Sequence, residues 1–257
     1  MHECFPVIRS TLSAMALLSQ VLPNYDIVAP DECKLFNIGL NDTYVVRTKD
    51  NKRYILRVYR ACMRSLSDIS YEMDILNHLN NKGVAVSVPL RRKDGRFVRS
   101  LAAPEGNRYV ALFTYAQGKE LTYNDESQAF QYGKAVAHVH AATEDFTSQY
   151  SRFPLDLRYL IDTPLKSIQP LLVHRMQDWD YLQKLANRLH ELIKALPMSI
   201  LEKGFCHGDF HGMNANITDE GIITFYDFDC GGPGWRAYDV AVFRWALRRF
   251  QEKENKL

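Results

Sequence analysis

The sequence predicts an α+β chain in two lobes, a small strand-rich lobe followed by a larger helical one. Three observations predict it. Apolar and β-branched runs bounded by turn residues mark residues 35–60 and 109–115 as strands. After Gly118 the apolar spacing becomes helical, over residues 125–143 and 178–196. One late hairpin, near residues 215–226, interrupts the helical part. The change of character near residues 115–119 places the expected lobes at 1–116 and 117–257.

The elements follow in order. From Ser10 the pattern is helical: Met15, Leu18 and Leu22 share a face, Ser10 or Thr11 is placed to cap, and Pro23 ends the run. Tyr44–Val46 and Tyr54–Tyr59 flank the polar turn Lys49–Lys52, which predicts a β-hairpin. A helix over Ser67–Leu79 comes next. Val84–Leu90 and Arg96–Leu101 read as short strands, and Tyr109–Tyr115 as a buried strand closed by Gly118. Between the two long helices, Pro154, Pro164 and Pro170 are expected to break the chain. The second hairpin joins its apolar runs through Asp219-Glu220-Gly221.

Composition excludes several classes. Of 257 residues, 46% are apolar and 24% charged, so the chain is neither disordered, collagen-like nor a coiled-coil rod. Its 32 basic and 30 acidic residues nearly cancel, which argues against a nucleic-acid partner. Five scattered cysteines without a CxxC pair suggest neither a disulfide framework nor a zinc ribbon. No run approaches the roughly 20 apolar residues of a membrane span. The N-terminus lacks the basic start and apolar core of a secretory signal. A cytoplasmic chain with no membrane partner is therefore expected.

Two constellations carry chemistry. On the helix after the first hairpin, Glu72 shares an apolar face with Ile69, Leu76 and Leu79. A carboxylate there is costly unless paired. Strand alternation offers Arg57, on the same side as Ile55 and Tyr59. An Arg57–Glu72 ion pair is one reading; the other has both side chains reaching solvent. At the second hairpin, antiparallel geometry sets Asn214, before the first strand, beside Asp227, after the second. Asp209 lies in the entering loop. Amide and carboxylate oxygens suit Mg²⁺, and a separate carboxylate suits proton acceptance from a hydroxyl. A polar loop of capping Asx residues is the alternative.

The run His207-Gly208-Asp209-Phe210-His211-Gly212-Met213-Asn214, then Asp227-Phe228-Asp229 thirteen residues after Asn214, then Gly231–Ala241 with its Tyr238-Asp239, resembles the aminoglycoside phosphotransferase, homoserine kinase and choline kinase family. These are small-molecule kinases with a bilobal protein-kinase-like fold. The likeness covers about Leu35 to Leu247. It implies a γ-phosphoryl transfer from ATP, with Mg²⁺, to a hydroxyl of a small polar molecule. Asp209 is then the catalytic base, Asn214 and Asp227 the metal ligands, and Asp229 a second acid for metal or substrate. Arg57 grips phosphate with Glu72 as its partner. Gly39 and Asn41 belong to the nucleotide-covering turn, and Phe113-Thr114-Tyr115-Ala116 to the adenine-reading hinge. Asp239 caps its helix and braces the catalytic loop.

The sequence departs from the pattern in three places. Arg57 stands where protein kinases carry Lys, and a guanidinium fork grips differently from a point charge. The nucleotide turn holds one glycine. Relatives commonly continue past Phe250 with helices that wall the acceptor site, so a shortened acceptor wall is expected.

Other readings stand beside this one. A protein Ser/Thr kinase of the same fold and a nucleotide-binding scaffold without turnover remain alternatives, as does a two-metal hydrolase on His207, Asp209, His211 and Asp227. A zinc cluster of Cys206, His207 and His211 lacks later His ligands. His207 is expected to brace the loop, His211 to line the acceptor site and His140 to be a core histidine. Trp235 and Arg236 either touch the acceptor or are a packed Trp and a solvated Arg. Arg248-Arg249 and Lys253–Lys256 read as a solvated helix end. Residues 145–200 mix acidic and basic side chains, so antibiotic, amino-alcohol and sugar-like acceptors all fit.

Overall fold

The computed structural model describes residues 5–121 and 125–254. A short helix, α1 (Ala14–Ala16), continues through a wide turn at Leu17–Val21 and a tight turn at Leu22–Asn24. Strands β1 (Pro30–Ile38), β2 (Asp42–Thr48) and β3 (Arg53–Val58) precede helix α2 (Leu66–Asn81). Strands β4 (Arg99–Ala103), β5 (Gly106–Thr114) and β6 (Lys119–Glu120) follow. Helices α3 (Glu126–Ala142), α4 (Thr163–Ile168) and α5 (Met176–Lys194) come next. The chain then forms β7 (Lys203–Cys206), β8 (Ala215–Ile217), β9 (Ile223–Phe225), β10 (Gly232–Trp235) and α6 (Ala237–Glu254). Met1–Cys4 and the end of the Lys253–Lys256 run lie outside the described residues.

The chain divides into two compact units. One comprises Met1–Leu121, Phe146–Ser151 and Met213–Asp229. The other comprises Thr122–Asp145, Arg152–Gly212 and Cys230–Leu257. The sequence places a single division at residue 116 and assigns the late hairpin to the helical part. In the structure that hairpin belongs to the first unit: Asn216 gives its side-chain amide to the Ala116 carbonyl, and β8 pairs with β6. These contacts join segments a hundred residues apart, so composition along the chain carries no trace of them.

The first unit is built on an antiparallel sheet in the order β1-β2-β3-β5-β4. Its β2–β3 hairpin turns where the polar run predicts it, with Val46 opposite Tyr54. Leu22, Tyr25, Tyr44, Val46, Leu56, Val58, Val110 and Leu112 form the core on one face. Helix α2 starts one residue earlier than its apolar spacing suggests. Ser65 and Asp68 close a reciprocal cap that satisfies its first amides. The first helical stretch is capped by Ser13, not by Ser10 or Thr11. Ser10 instead gives both its amide and its hydroxyl to Glu105. β1 begins at Pro30 and is largely exposed; an edge strand of this kind needs no apolar alternation.

The segment expected as a strand over Val84–Leu90 makes only isolated pairings, Val86 with Phe225 and Pro89 with Phe113. Pro89 has no amide to extend a ladder. The second unit holds the long helices. Pro164 and Pro170 do not break the chain between them: each falls where one helical form passes into another, Pro164 just after the wide turn Arg158–Asp162 and Pro170 in the tight turn Gln169–Leu172. Strand β10 pairs with β7 through Gly232, Pro233, Gly234 and Trp235, a sequence with no strand signature. A side chain on Gly232 would meet the Phe153 carbonyl at 2.5 Å, so the close approach requires glycine.

The buried tyrosines make an alkaline prediction. Burial is the main cause that pushes the Tyr25 phenol up from 10 to about 12. Between those values the unfolded chain has lost a proton that the native chain keeps, so stability is full below pH 10 and falls as pH rises towards 12. Urea unfolding should lose about 3 kcal/mol across that window on account of Tyr25. Tyr25→Phe should flatten the slope by about one proton. An unchanged slope in the variant would show that the phenol is ionised in the folded core.

Candidate active site

In the first unit the charged residues converge on Arg57. Its guanidinium donates Nη1 to Glu72 Oε1 at 2.7 Å and Nη2 to Asp227 Oδ1 at 2.9 Å. Tyr59 donates its hydroxyl to Glu72 Oε2 at 2.8 Å. Glu72 is 1% exposed, so both of its oxygens are neutralised inside the protein. The expected pair is therefore present, and the reading in which both side chains reach solvent is not. Phe113 lies under the guanidinium, 5.1 Å from ring centroid to Arg57 Cζ. Burial by itself disfavours the charged guanidinium, but the Asp227 and Glu72 carboxylates outweigh it and hold its pKa well above the usual arginine value. Burial, then the Glu72 charge, pushes the Tyr59 phenol well up, so Tyr59 is a neutral donor. Alternation along β3 already set Tyr59 beside Arg57; what the sequence could not show is that its hydroxyl completes the Glu72 site.

The hairpin brings Asn214 and Asp227 to one end. Ala215 faces Phe225 across the ladder, and the Tyr226 amide donates to the Asn214 carbonyl at 3.0 Å. Tyr226 also gives its hydroxyl to the Met213 carbonyl and to Asn216 Oδ1. Asp227 has a left-handed backbone, φ 65°, which Asp tolerates better than most residues. Its side chain keeps 43% of its surface exposed. Asp229 is 2% exposed; Asn41 Nδ2 donates to its Oδ2 at 2.7 Å, and Arg64 Nε to its carbonyl at 3.0 Å. Asn41 Oδ1 in turn accepts from the Arg60 amide. The Asn41 side chain thus braces Asp229 at one end and the strand exit at the other. The Gly39 amide donates to the Asn41 carbonyl and tightens the turn.

In the segment expected to be the hinge, Thr114 is committed to its neighbours. Its amide donates to the Val88 carbonyl, its hydroxyl accepts from the Val88 amide, and its carbonyl accepts from Ser87 Oγ. Tyr115 lies under the Arg53 guanidinium at 3.9 Å.

The second unit carries the loop with Asp209. Asp239, 1% exposed, accepts from the His207 amide at 3.0 Å and from the Gly208 amide at 2.8 Å. His140 Nε2 meets the same carboxylate at 2.8 Å. Asp239 thus braces the loop, though from inside the first turn of α6 and not as its cap. His140 is the satisfied core histidine. Gly208 has φ 78°, and a side chain on it would meet the Cys230 carbonyl at 2.5 Å. The Asp209 amide donates to His207 Nδ1, and the His207 ring stacks on Phe210 at 4.3 Å. His211 Nε2 lies 3.3 Å from Asp209 Oδ2.

Arg236 does not stand free in solvent. It donates Nη2 to the His140 carbonyl and packs near Glu144 and Glu202. Trp235 is half-buried with its indole N–H unpartnered among the described residues. Burial, with Asp239 nearby, pushes the Cys206 thiol up, away from a metal-ligating thiolate. Among the described residues no group of three or more His, Cys, Asp or Glu gathers to hold a metal.

Glu72→Ala should test the buried network. It strips Arg57 of one partner and Tyr59 of its acceptor, while Asp227 remains. Loss of one partner from a buried pair costs about 3–5 kcal/mol, and the surviving Asp227 contact favours the lower end. Urea denaturation measures it; a loss below about 1 kcal/mol would show the pair behaving like a surface one.

A family model described as the phosphotransferase enzyme family, APH, matches residues 32–255. An uncharacterised protein of Synechocystis sp. is 36% identical over 242 residues, covering 94% of this chain and 67% of its own. Among solved structures, the amicoumacin kinase hAmiN in complex with AMP-PNP, Ca²⁺ and Ami is similar at TM-score 0.69 and 20% identity, over 88% of this chain and 67% of that one. A microcompartment-associated aminopropanol kinase is similar at TM-score 0.68 and 26% identity, over 89% and 73%. The chain thus spans about two thirds of the length of the Synechocystis relative and of hAmiN. The α+β fold, protein-kinase-like as in these kinases, and the family match over most of the sequence agree: the chain belongs to the phosphotransferase enzyme family and is a kinase.

Proposed function

We propose that the enzyme transfers the γ-phosphoryl group of ATP to a hydroxyl of a small polar molecule, with Mg²⁺. The observation that carries this reading is Arg57, held by Glu72 and Asp227 at once. Such an arrangement fixes a guanidinium fork against phosphate oxygens without conformational cost at the moment of binding. The Asn214 amide oxygen and the Asp227 carboxylate are hard donors that fit Mg²⁺, and Asp227 retains exposed surface to offer it. When bound, the ion would neutralise charge on the phosphates. Asp229, committed to Asn41, supports the turn and Asp227's neighbourhood. Asp209 accepts the proton of the acceptor hydroxyl, with His211 beside it. Because Thr114 is occupied and the Ala116 carbonyl accepts from Asn216, adenine recognition falls to the Tyr115 backbone and the Ala116 amide, with Phe113 and Tyr115 as flanking rings. ATP as donor places the work in the cytoplasm.

The test is ADP release by the purified chain with ATP-Mg²⁺ and a panel of amino-alcohols, sugars and aminoglycosides. Acceptor-dependent release with a phosphorylated product supports the reading. Phosphate-ester cleavage without ATP, or transfer only to a protein hydroxyl, would replace it. Asp227→Ala should lower turnover by about 10³-fold, as for other groups central to transition-state charge. It should also abolish the extra thermal stabilisation that Mg²⁺ adds to ATP. Undiminished Mg²⁺ dependence in that variant would remove Asp227 from the ligand set.

A further inference from the structure

A cleft of about 580 Å³ opens in the first unit beside the helix that carries Glu72. That volume lies within the range of small-molecule sites. Leu66 and Met73 of α2 line it, with Phe97 and Val98 from the segment before β4. Arg91 and Arg96 also line it. Arg91 lies over the Phe97 ring at 4.2 Å and gives Nη1 to the Gly95 carbonyl. Among the described residues neither arginine forms an ion pair, and the Arg96 guanidinium makes no hydrogen bond. The cleft's carboxylate, Asp74, accepts from Ser148 Oγ at 2.6 Å. The lining therefore combines apolar side chains with a net positive charge, and the Arg96 guanidinium and the remaining Arg91 donors are left uncommitted.

We propose that this cleft binds an amphipathic anion, a compact apolar body carrying a carboxylate, sulfonate or phosphate. The body packs on Met73, Leu66 and Phe97; the charge meets Arg91 and Arg96. Occupation acts on the nucleotide residues through one rigid element. Met73 follows Glu72 in α2, and Leu66 follows the cap residue Ser65. A ligand pressed on Met73 shifts the helix that holds Glu72 against Arg57. The coupling rests on the proposed nucleotide role of Arg57, whereas binding at the cleft does not.

The probe is 1-naphthalenesulfonate, titrated into the full chain labelled at its methionine methyl groups, with Met73→Leu assigning the Met73 signal. A saturable shift of that signal is expected. Arg91→Glu with Arg96→Glu should weaken binding at least tenfold while leaving ATP affinity without the probe unchanged. Ser70→Trp, between Leu66 and Met73 on α2, should block it by filling the cleft without touching the arginines. Saturating probe should change the ATP-Mg²⁺ dissociation constant several-fold in the parent chain and not in the double variant. A silent Met73 signal, equal binding by neutral naphthalenemethanol, or unchanged affinity in both variants would overturn the site. Probe binding with constant ATP affinity would overturn the coupling. A chain that binds the probe but never ATP would instead count against the kinase reading.

Discussion

Asp209→Asn is expected to lower kcat by about a thousandfold while leaving the fold and the ATP dissociation constant unchanged. The size follows from the proposed role: a positioned general base contributes roughly 10²–10⁴ in rate. The selectivity follows from the structure. The Asp209 side chain is 38% exposed, so its replacement opens no cavity. Its backbone is held independently, by an amide bond to His207 Nδ1 and by the His211 amide donating to the Asp209 carbonyl. The loop that presents it is anchored at His207 and Gly208. Asparagine keeps the size and removes the proton acceptor, so a stability change should stay within about 0.5 kcal/mol. Single-turnover kinetics at saturating ATP and acceptor measure the chemical step. Residual activity above a tenth of the parent's would mean that another group takes the proton, and His211, 3.3 Å away, would be the first to mutate.

What the sequence made legible shares a physical character. The Arg57–Glu72 pair could be read because a strand of period 2 and a helix of period 3.6 each put one charge on an apolar face. The closeness of Asn214 and Asp227 could be read because an antiparallel hairpin forces its ends together once its turn is found. Both arguments are local. The contacts that escaped are not: Asn41 reaches Asp229 across 188 positions, and Arg64 reaches the Asp229 carbonyl across 165. No periodicity marks such a pair in advance. The β7–β10 ladder was invisible for a different reason. Gly232-Pro233-Gly234 has no strand propensity, and tertiary packing overrides it. The edge strand β1 was half-missed because an exposed edge needs no alternation. One reading leaves Arg236 solvated, yet it is tied to the His140 carbonyl; Trp235, half-buried, fits the packed alternative.

Asp239 is where fold and chemistry meet, and Asp239→Ala should cost about 3–5 kcal/mol in stability together with most of the activity. The carboxylate is a buried acceptor for two backbone amides and for His140. Deleting it orphans three donors, and each unsatisfied buried group costs about 1–3 kcal/mol, not additively. Activity should fall further than unfolding explains, because Gly208 loses the bond that fixes its left-handed turn one residue before Asp209. Asp239→Asn separates the two effects. Its single oxygen can still accept from one amide, but its –NH₂ opposes the other. Stability should therefore recover in part while kcat stays low, since one misdirected amide is enough to displace the loop. Urea denaturation gives the first quantity, and kcat measured at a temperature where both variants are folded gives the second. If Asp239→Asn regained kcat in proportion to its stability, the residue would be a fold element alone, and the positioning of Asp209 would have to be sought in the His207–Phe210 stack instead.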